Sequence, residues 1–352
     1  FLPLYHLIFP CSVLILFLSP FVIYYLLKVI SFKIISLLIH RFFFLVHSIY
    51  VFLNMKFTLS KQVKDAINNN KPVLALESTI ISSGMPFPQN IQFQNKAEKT
   101  CLDLGVVPAT IAIIKGEIHI GLGEKELMFI ATDKSVKKIS KREIGVCLEK
   151  KQSGATTVSS TSHIAFNAGI KVFSTGGIGG VHKGYDTSLD MSQDIISLSE
   201  TPIVVVCSGV KSFLDVDKTA ETLETFGITT IGYKTDYFPL FYTSISDIKL
   251  QHRYKNAKEI ARLFKLNKEV GLNSSILVLN PVPKKHEVPF QEMKSIISSS
   301  IIKMESMGIT GKETTQYLLK TIAQKTKNKS LKTNIRLALN NISLGAKIAQ
   351  KI

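Results

Sequence analysis

The chain has 352 residues, enough for two average domains or one large α/β domain with extensions, and 45% of them are hydrophobic. Its 43 Lys and Arg against 26 Asp and Glu give a formal charge of +17. That excess is spread as single lysines with small clusters at Lys137-Lys138, Lys141-Arg142 and Lys284-Lys285, with no long basic arm and no aromatic–basic repeat. A solvated basic surface accounts for it, and no nucleic acid partner is expected.

The four cysteines (Cys11, Cys101, Cys147, Cys207) lie far apart with no C-x-x-C pair. This argues for a reducing compartment, and against a disulfide scaffold or a zinc site.

Residues 1–54 hold no Asp or Glu and contain two apolar stretches, about Cys11–Leu27 and Ile34–Phe52, with Lys28, Lys33 and Arg41 around their junction. Each stretch is near bilayer-crossing length. A membrane anchor hairpin is one reading and a long secretory signal a poorer one. A translated noncoding leader is a third, since the chain starts with Phe and Met55 directly precedes a plausible start. The expected location is cytoplasmic, or membrane-associated if this segment is native. Residues 55–352 have no Pro/Ser-rich linker and no internal repeat, and read as one domain.

From Ser60 the pattern alternates. A short amphipathic helix Lys61–Asn69 precedes a buried strand Pro72–Leu76, and a turn-rich SSGMPFPQN leads to a helix that Asn90 caps and that runs through Leu104. Thr110–Ile114 and Glu117–Ile120 flank a Lys-Gly turn as a hairpin. Helices follow at Glu124–Ala131, Ser140–Lys151 and Thr157–Asn167, then strand Ile170–Ser174, a glycine loop, helix Ser192–Ser199, strand Ile203–Cys207 and helix Thr219–Phe226. Strands Ile228–Tyr233 and Ser275–Leu279 enclose helix Lys258–Val270, and everything after Pro283 reads as helical: Phe290–Met307, Lys312–Lys325 and Ser330–Lys351. Strand alternating with helix over this length predicts an α/β fold of three layers, α/β/α, with a mostly parallel or mixed central sheet and a helical C-terminal part.

In such sheets the loops at the carboxyl ends of strands build the site. Those loops collect Glu77 after the first buried strand, the glycine loop with His182, Asp190 and Asp194, Lys211 after Ile203–Cys207, and Asn280-Pro281. Lys211 stands at the mouth of the next helix, beyond a Ser208-Gly209 turn. Burial there disfavours an ammonium and favours the neutral, nucleophilic amine, while a lysine that snorkels to the surface is the plain alternative. Glu77 taken alone reads first as a capping or salt-bridged carboxylate. Five glycines in nine residues, Gly176 to Gly184, imply close backbone approach or positive φ, but the spacing is not that of a dinucleotide fingerprint. Asp190 and Asp194, four apart at a helix start, share a face or cap the helix; beside His182 they could hold a divalent ion through oxygen.

The phrases ALESTIISSGMPFPQN, VPATIAIIKGEIHIGL, SGATTVSST, VFSTGGIGGVHKG, VVCSGVKSFLD, TLETFGITTIGY and LNPVP, in this order, resemble the pseudouridine-5′-phosphate glycosidase family over about residues 60–350. The resemblance implies a homotrimer of α/β/α subunits. It also implies a manganese-dependent (Mn2+ or another divalent cation) cleavage of pseudouridine 5′-phosphate into uracil and ribose 5-phosphate. By the same resemblance Lys211 matches the imine-forming lysine, Glu77 the proton donor and Asp190 the metal ligand, with water filling much of the ion's shell. Lys138, Val158, Ser192, Gln193, Asp194 and Asn334 match substrate contacts, and His182 a site histidine. Two departures stand out: Ser83 replaces a frequent histidine, and Ser208-Gly209-Val210 replaces small alanines before the lysine.

Overall fold

The computed structural model describes residues 57–309 and 311–352, so the readings of residues 1–54 lie outside the described residues. In chain order its elements are β1 (Phe57–Leu59), α1 (Lys61–Asn68), β2 (Val73–Leu76), α2 (Thr79–Ser82), α3 (Gln89–Asp103), β3 (Val107–Ile114), β4 (Glu117–Ile120), α4 (Glu124–Thr132) and β5 (Lys137–Ile139). After a 3-10 turn come α5 (Ile144–Glu149), β6 (Gly154–Thr156), α6 (Val158–Asn167), β7 (Val172–Ser174), α7 (Tyr185–Ser188), α8 (Gln193–Glu200) and β8 (Val204–Cys207). The rest is α9 (Val216–Thr225), β9 (Thr229–Tyr233), β10 (Arg253–Tyr254), α10 (Ala257–Glu269), β11 (Ile276–Leu279), α11 (Phe290–Ser306), α12 (Lys312–Lys325) and α13 (Lys329–Ala349).

Seven strands run parallel in the order β3-β2-β7-β8-β11-β9-β10. The core strands VLAL, VVVC and ILVL are buried at every position. Continuous burial without alternation requires helices on both faces of the sheet. On one face α13 lies across β2, β7 and β8, flanked by α3 and α10, while α6 covers β2, β3 and β7 and packs on α8. The α13 face turned to the sheet carries Leu337, Ala338, Asn341, Ile342 and Gly345, the three-and-four spacing of one helical stripe. Gly345 lets the helix settle: a Cβ there would stand 3.0 Å from Leu74 Cδ1.

β3 joins two sheets. Its first half pairs parallel with β2, and its second half, Ile111–Ile114, pairs antiparallel with β4 and β6. The mixed α/β sheet expected from the sequence is therefore present, with the antiparallel pairs confined to this side. The hairpin of β3 and β4 falls as predicted, but β1, β5, β6 and β10 were not anticipated. Each has only two or three residues, too few for a periodicity to register.

Three local expectations are corrected. Asn90 does not cap α3: Pro88 precedes the helix and Asn90 is buried in its first turn, donating to Ile81 O and Ala131 O at 2.9 and 3.1 Å. The Ser140–Lys151 helix is a 3-10 turn running into α5, with Glu143 folded back on the Ser140 N–H at 2.9 Å. Lys211 lies a turn ahead of the next helix, because α9 starts at Val216 with Asp215 as its cap. The three described cysteines, Cys101, Cys147 and Cys207, are buried free thiols; burial pushes Cys101 and Cys207 up to about 12. Among the described residues no helix is long and apolar enough to cross a membrane.

Candidate active site

The carboxyl ends of β2, β7 and β8, adjacent in the sheet, open into one cleft of about 740 Å³, inside the range of small-molecule sites. Glu77, His182, Asp190, Lys211 and Asn334 all line it, as do Lys138, Val158, Ser192, Gln193 and Asp194. Apart from Asn280-Pro281, which does not line the cleft, the residues singled out from the sequence as catalytic, binding or metal-ligating candidates thus meet at one place.

The loops that carry them are locked together by backbone. Ser208 N–H donates to Gly176 O at 2.9 Å, Ile178 N–H to Gly209 O at 3.1 Å, and Lys211 N–H to Ile178 O at 3.1 Å. The glycine loop and the lysine loop therefore continue the parallel pairing of β7 with β8 beyond the strand ends. Gly209 makes this turn at φ +89°, and a Cβ there would stand 2.1 Å from Pro239 O. A side chain at that position would collide with the Pro239 carbonyl, so this chain needs glycine there.

Glu77 follows β2 and is partly buried. Thr175, the first residue after β7, donates its hydroxyl to Glu77 Oε1. Burial raises the Glu77 carboxyl above its ordinary range; the Lys211 charge is the foremost influence pulling it back, with Thr175 and Lys138 also lowering it and Asp194 raising it. A carboxyl held towards its protonated form beside an amine suits proton donation.

Asp194 and Asp190 do different work, contrary to a shared helix face. Asp194 is buried in the first turn of α8, and its two oxygens accept from Ser159 N–H at 2.9 Å and Gly179 N–H at 2.8 Å. One carboxylate thereby satisfies a first-turn donor of α6 and holds the glycine loop against both helix starts. Gly179 must be glycine for this approach: its Cβ would stand 2.2 Å from Ser192 Oγ and 2.9 Å from Asp194 Oδ2. Ser192 caps α8, accepting from Asp194 N–H at 3.2 Å, and Gln193 Oε1 accepts from Arg142 N–H at 3.0 Å.

Asp190 lies ahead of the helix, about half exposed, its Oδ2 3.7 Å from His182 Nδ1. Burial lowers the His182 imidazole below its ordinary value, with Asp190 opposing and Lys138 and Lys211 reinforcing the shift. Among the described residues no group of three or more His, Cys, Asp or Glu is placed to hold a metal ion. Asp190, a half-exposed carboxylate with no second acidic ligand grouped beside it among the described residues, fits an oxygen-loving cation that keeps most of its water, and does not fit an enclosed zinc-type site.

On the far wall Lys138, on β5, and Val158, the first residue of α6, flank the cleft. Asn334, on α13, is 5% exposed, and its Oδ1 has no hydrogen-bond partner. Ser83 ends α2 on the cleft, its hydroxyl donating to Thr79 O at 3.3 Å.

Three residues escaped the sequence reading. Asn341 is fully buried under the site; its Nδ2 donates to Thr175 O at 2.9 Å and Gly176 O at 3.3 Å, and its Oδ1 accepts from Asn280 Nδ2 at 3.0 Å. An asparagine in the apolar stripe of a helix was the available signal. Thr175 carries the hydroxyl that meets Glu77. Phe241 lines the cleft from the excursion between β9 and β10, where the aromatic run FPLFY was the signal.

A family model described as indigoidine synthase A like protein matches residues 62–351. A curated pseudouridine-5′-phosphate glycosidase of Caldanaerobacter subterraneus subsp. tengcongensis is 46% identical over 300 residues, covering 85% of this chain and 98% of its own. One from Staphylococcus aureus is 44% identical over 290 residues, covering 82% and 94%. The crystal structure of the prealnumycin C-glycosynthase AlnA in complex with ribulose 5-phosphate superposes with a TM-score of 0.78 at 31% identity, covering 85% of this chain and 97% of that one. An indigoidine synthase A-like protein of Thermotoga maritima superposes at 0.75 with 36% identity, covering 80% and 92%. The chain belongs to the pseudouridine-5′-phosphate glycosidase family.

Proposed function

We propose that this protein cleaves the carbon–carbon glycosidic bond of pseudouridine 5′-phosphate, with water, to uracil and ribose 5-phosphate. The observation that carries the reading is that Lys211 and Glu77 line one cleft, with burial raising the Glu77 carboxyl above its ordinary range and the Lys211 charge the foremost influence opposing it. The names of the relatives and the ribulose 5-phosphate held by the C-glycosynthase support a phosphorylated sugar substrate.

A carbon leaving group has no lone pair to protonate, so the two-carboxylate route of ordinary glycosidases does not release it. An amine solves the problem. Lys211 Nζ bonds to C1′ as the C1′–O4′ bond breaks, and the Glu77 carboxyl gives its proton to O4′. The new secondary ammonium returns a proton to Glu77. Glu77 protonates the uracil ring at C5, and the nitrogen lone pair then forms the C1′=N bond while the C1′–C5 bond breaks and its electron pair restores the ring C5=C6 bond. Uracil departs neutral. Water hydrolyses the iminium, freeing the lysine amine and ribose 5-phosphate, and the released proton restores Glu77.

Lys138 places a positive charge where the 5′-phosphate enters, and Val158, Ser192, Gln193 and His182 line the walls around the sugar. Asp194 contributes by holding the glycine loop. Asp190 would hold manganese or a similar cation together with water, and such an ion would supply charge stabilisation next to the phosphate-bearing substrate. A homotrimer belongs to the same reading. The test is uracil release from pseudouridine 5′-phosphate by the purified protein with and without manganese. Metal-dependent release is expected, and no release at any metal concentration defeats the proposal.

A further inference from the structure

We propose that a small cavity behind Glu77 is a binding site for one water molecule, and that this water, held by Ser174 and Gln94, positions the Glu77 carboxyl. The role for Glu77 rests on the glycosidase reading above; the site itself does not.

Ser174 ends β7, and the register sets it in one row with Leu76 of β2 and Thr110 of β3, since Leu76 pairs with both. Paired residues turn their side chains to the same face of a sheet. Here it is the face that α3 and α13 cover, and Ser174 Cβ stands 3.3 Å from where a Cβ on Gly345 would be. Hydroxyls in the last row of buried strands are unfavourable unless they find partners. Thr110 has one: its Oγ1 accepts from Gln94 Nε2 at 2.7 Å. Ser174 is 2% exposed, and its Oγ has no hydrogen-bond partner among the described residues.

Ser174 lines a cavity of about 10 Å³ together with Glu77 and Gln94, walled on the helix side by Ala97, Ala338 and Ile342. Such a space takes about one water molecule and nothing larger, provided several polar groups meet it there. Three do. Ser174 brings its unpartnered hydroxyl. Gln94, buried on α3, uses both amide protons, on Thr110 and on Glu98 Oε1 at 2.8 Å, so its carbonyl oxygen is what it offers. Glu77 lines the cavity on one side and the cleft on the other. Thr175 already donates to Glu77 Oε1, and Oε2 remains for a second donor.

A water in the cavity accepts from the Ser174 hydroxyl and donates to Gln94 Oε1 and Glu77 Oε2. It thereby satisfies the orphaned hydroxyl and fixes the carboxyl from the side away from the substrate. The charges that bear on Glu77, namely Lys211, Asp194 and Lys138, all line the cleft. On the helix side the titratable neighbour is Glu98, beyond Gln94, its own carboxyl raised by burial. A water that donates to Glu77 favours the ionised carboxylate and so opposes the effect of burial.

Two measurements test this. A high-resolution crystal structure of the wild-type protein is expected to show an ordered water within hydrogen-bonding distance of Ser174 Oγ and Gln94 Oε1; a well-ordered cavity without it overturns the proposal. Ser174→Ala, which removes the hydroxyl alone, is expected to lower kcat for uracil release by about tenfold or more, as for one lost hydrogen bond to a charged group, with KM unchanged within roughly twofold. The limb of kcat that falls as Glu77 loses its proton should move to higher pH. Loss of kcat together with a raised KM would show a loosened cleft, and unaltered kcat and pH profile would show a water idle towards Glu77; either overturns the positioning role. A wild-type protein that releases no uracil defeats the glycosidase reading and the positioning role with it, while the crystallographic result still decides the water site.

Discussion

Glu77 is the residue whose environment says most. Its carboxyl is held above the ordinary range by burial, so the native state binds more protons than the unfolded chain between the unfolded and folded values. Stability therefore falls as pH rises through that window. Glu77→Gln carries no charge to desolvate. It should melt higher than wild type above the window, lose that advantage below the usual carboxylate range, and lose turnover by ~10³-fold; a thermal melt series across pH alongside the uracil assay reads both. Gly179 makes a second, purely steric prediction. Gly179→Ala drives a methyl into Ser192 and Asp194, and a displacement of this size at a positioning contact costs about 10²-fold in turnover. A variant with unaltered kinetics would show that Asp194 does not position the site. The two aspartates illustrate the limit of spacing as evidence. Their separation of four placed them near one helix start, but only the fold reveals that Asp194 spends both oxygens on backbone N–H groups.

At the scale of elements, the long buried strands and the helices between them were legible because burial without alternation and a 3.6-residue period leave strong marks in sequence. VLAL, VVVC and ILVL each fall where expected, and so do the residues at their ends. The short strands β1, β5, β6 and β10 left no such mark, and neither did the excursion from Lys234 to His252, whose course is set by contacts with distant loops. α13 shows the same contrast. Its apolar stripe was readable, whereas the use of Asn341 to tie the ends of β7, β8 and β11 was not, since that depends on which carbonyls the fold leaves beneath the helix. Asn341→Leu removes the amide that serves the Thr175 carbonyl and the acceptor that serves the Asn280 amide. It should cost roughly 3 kcal/mol in chemical denaturation, with an unchanged midpoint counting against the tie.

The whole molecule places the Lys211 amine and the Glu77 carboxyl, whose ionisation burial disfavours, at the ends of two strands that flank β7 in a parallel sheet, with the Asp190 carboxylate in the same cleft. If Asp190 is the protein's contribution to the ion, Asp190→Asn raises the manganese concentration for half-maximal uracil release by about tenfold or more, leaving the melting temperature of the metal-free protein near wild type. The central claim, however, concerns Lys211, because the covalent route distinguishes this chemistry from every glycosidase that works with carboxylates alone. Borohydride reduction during incubation with ribose 5-phosphate should fix one pentose phosphate per chain. Peptide mapping should find it on Lys211, and Lys211→Ala should remain unlabelled and inactive. A label on another lysine, or full turnover in Lys211→Ala, would contradict the account.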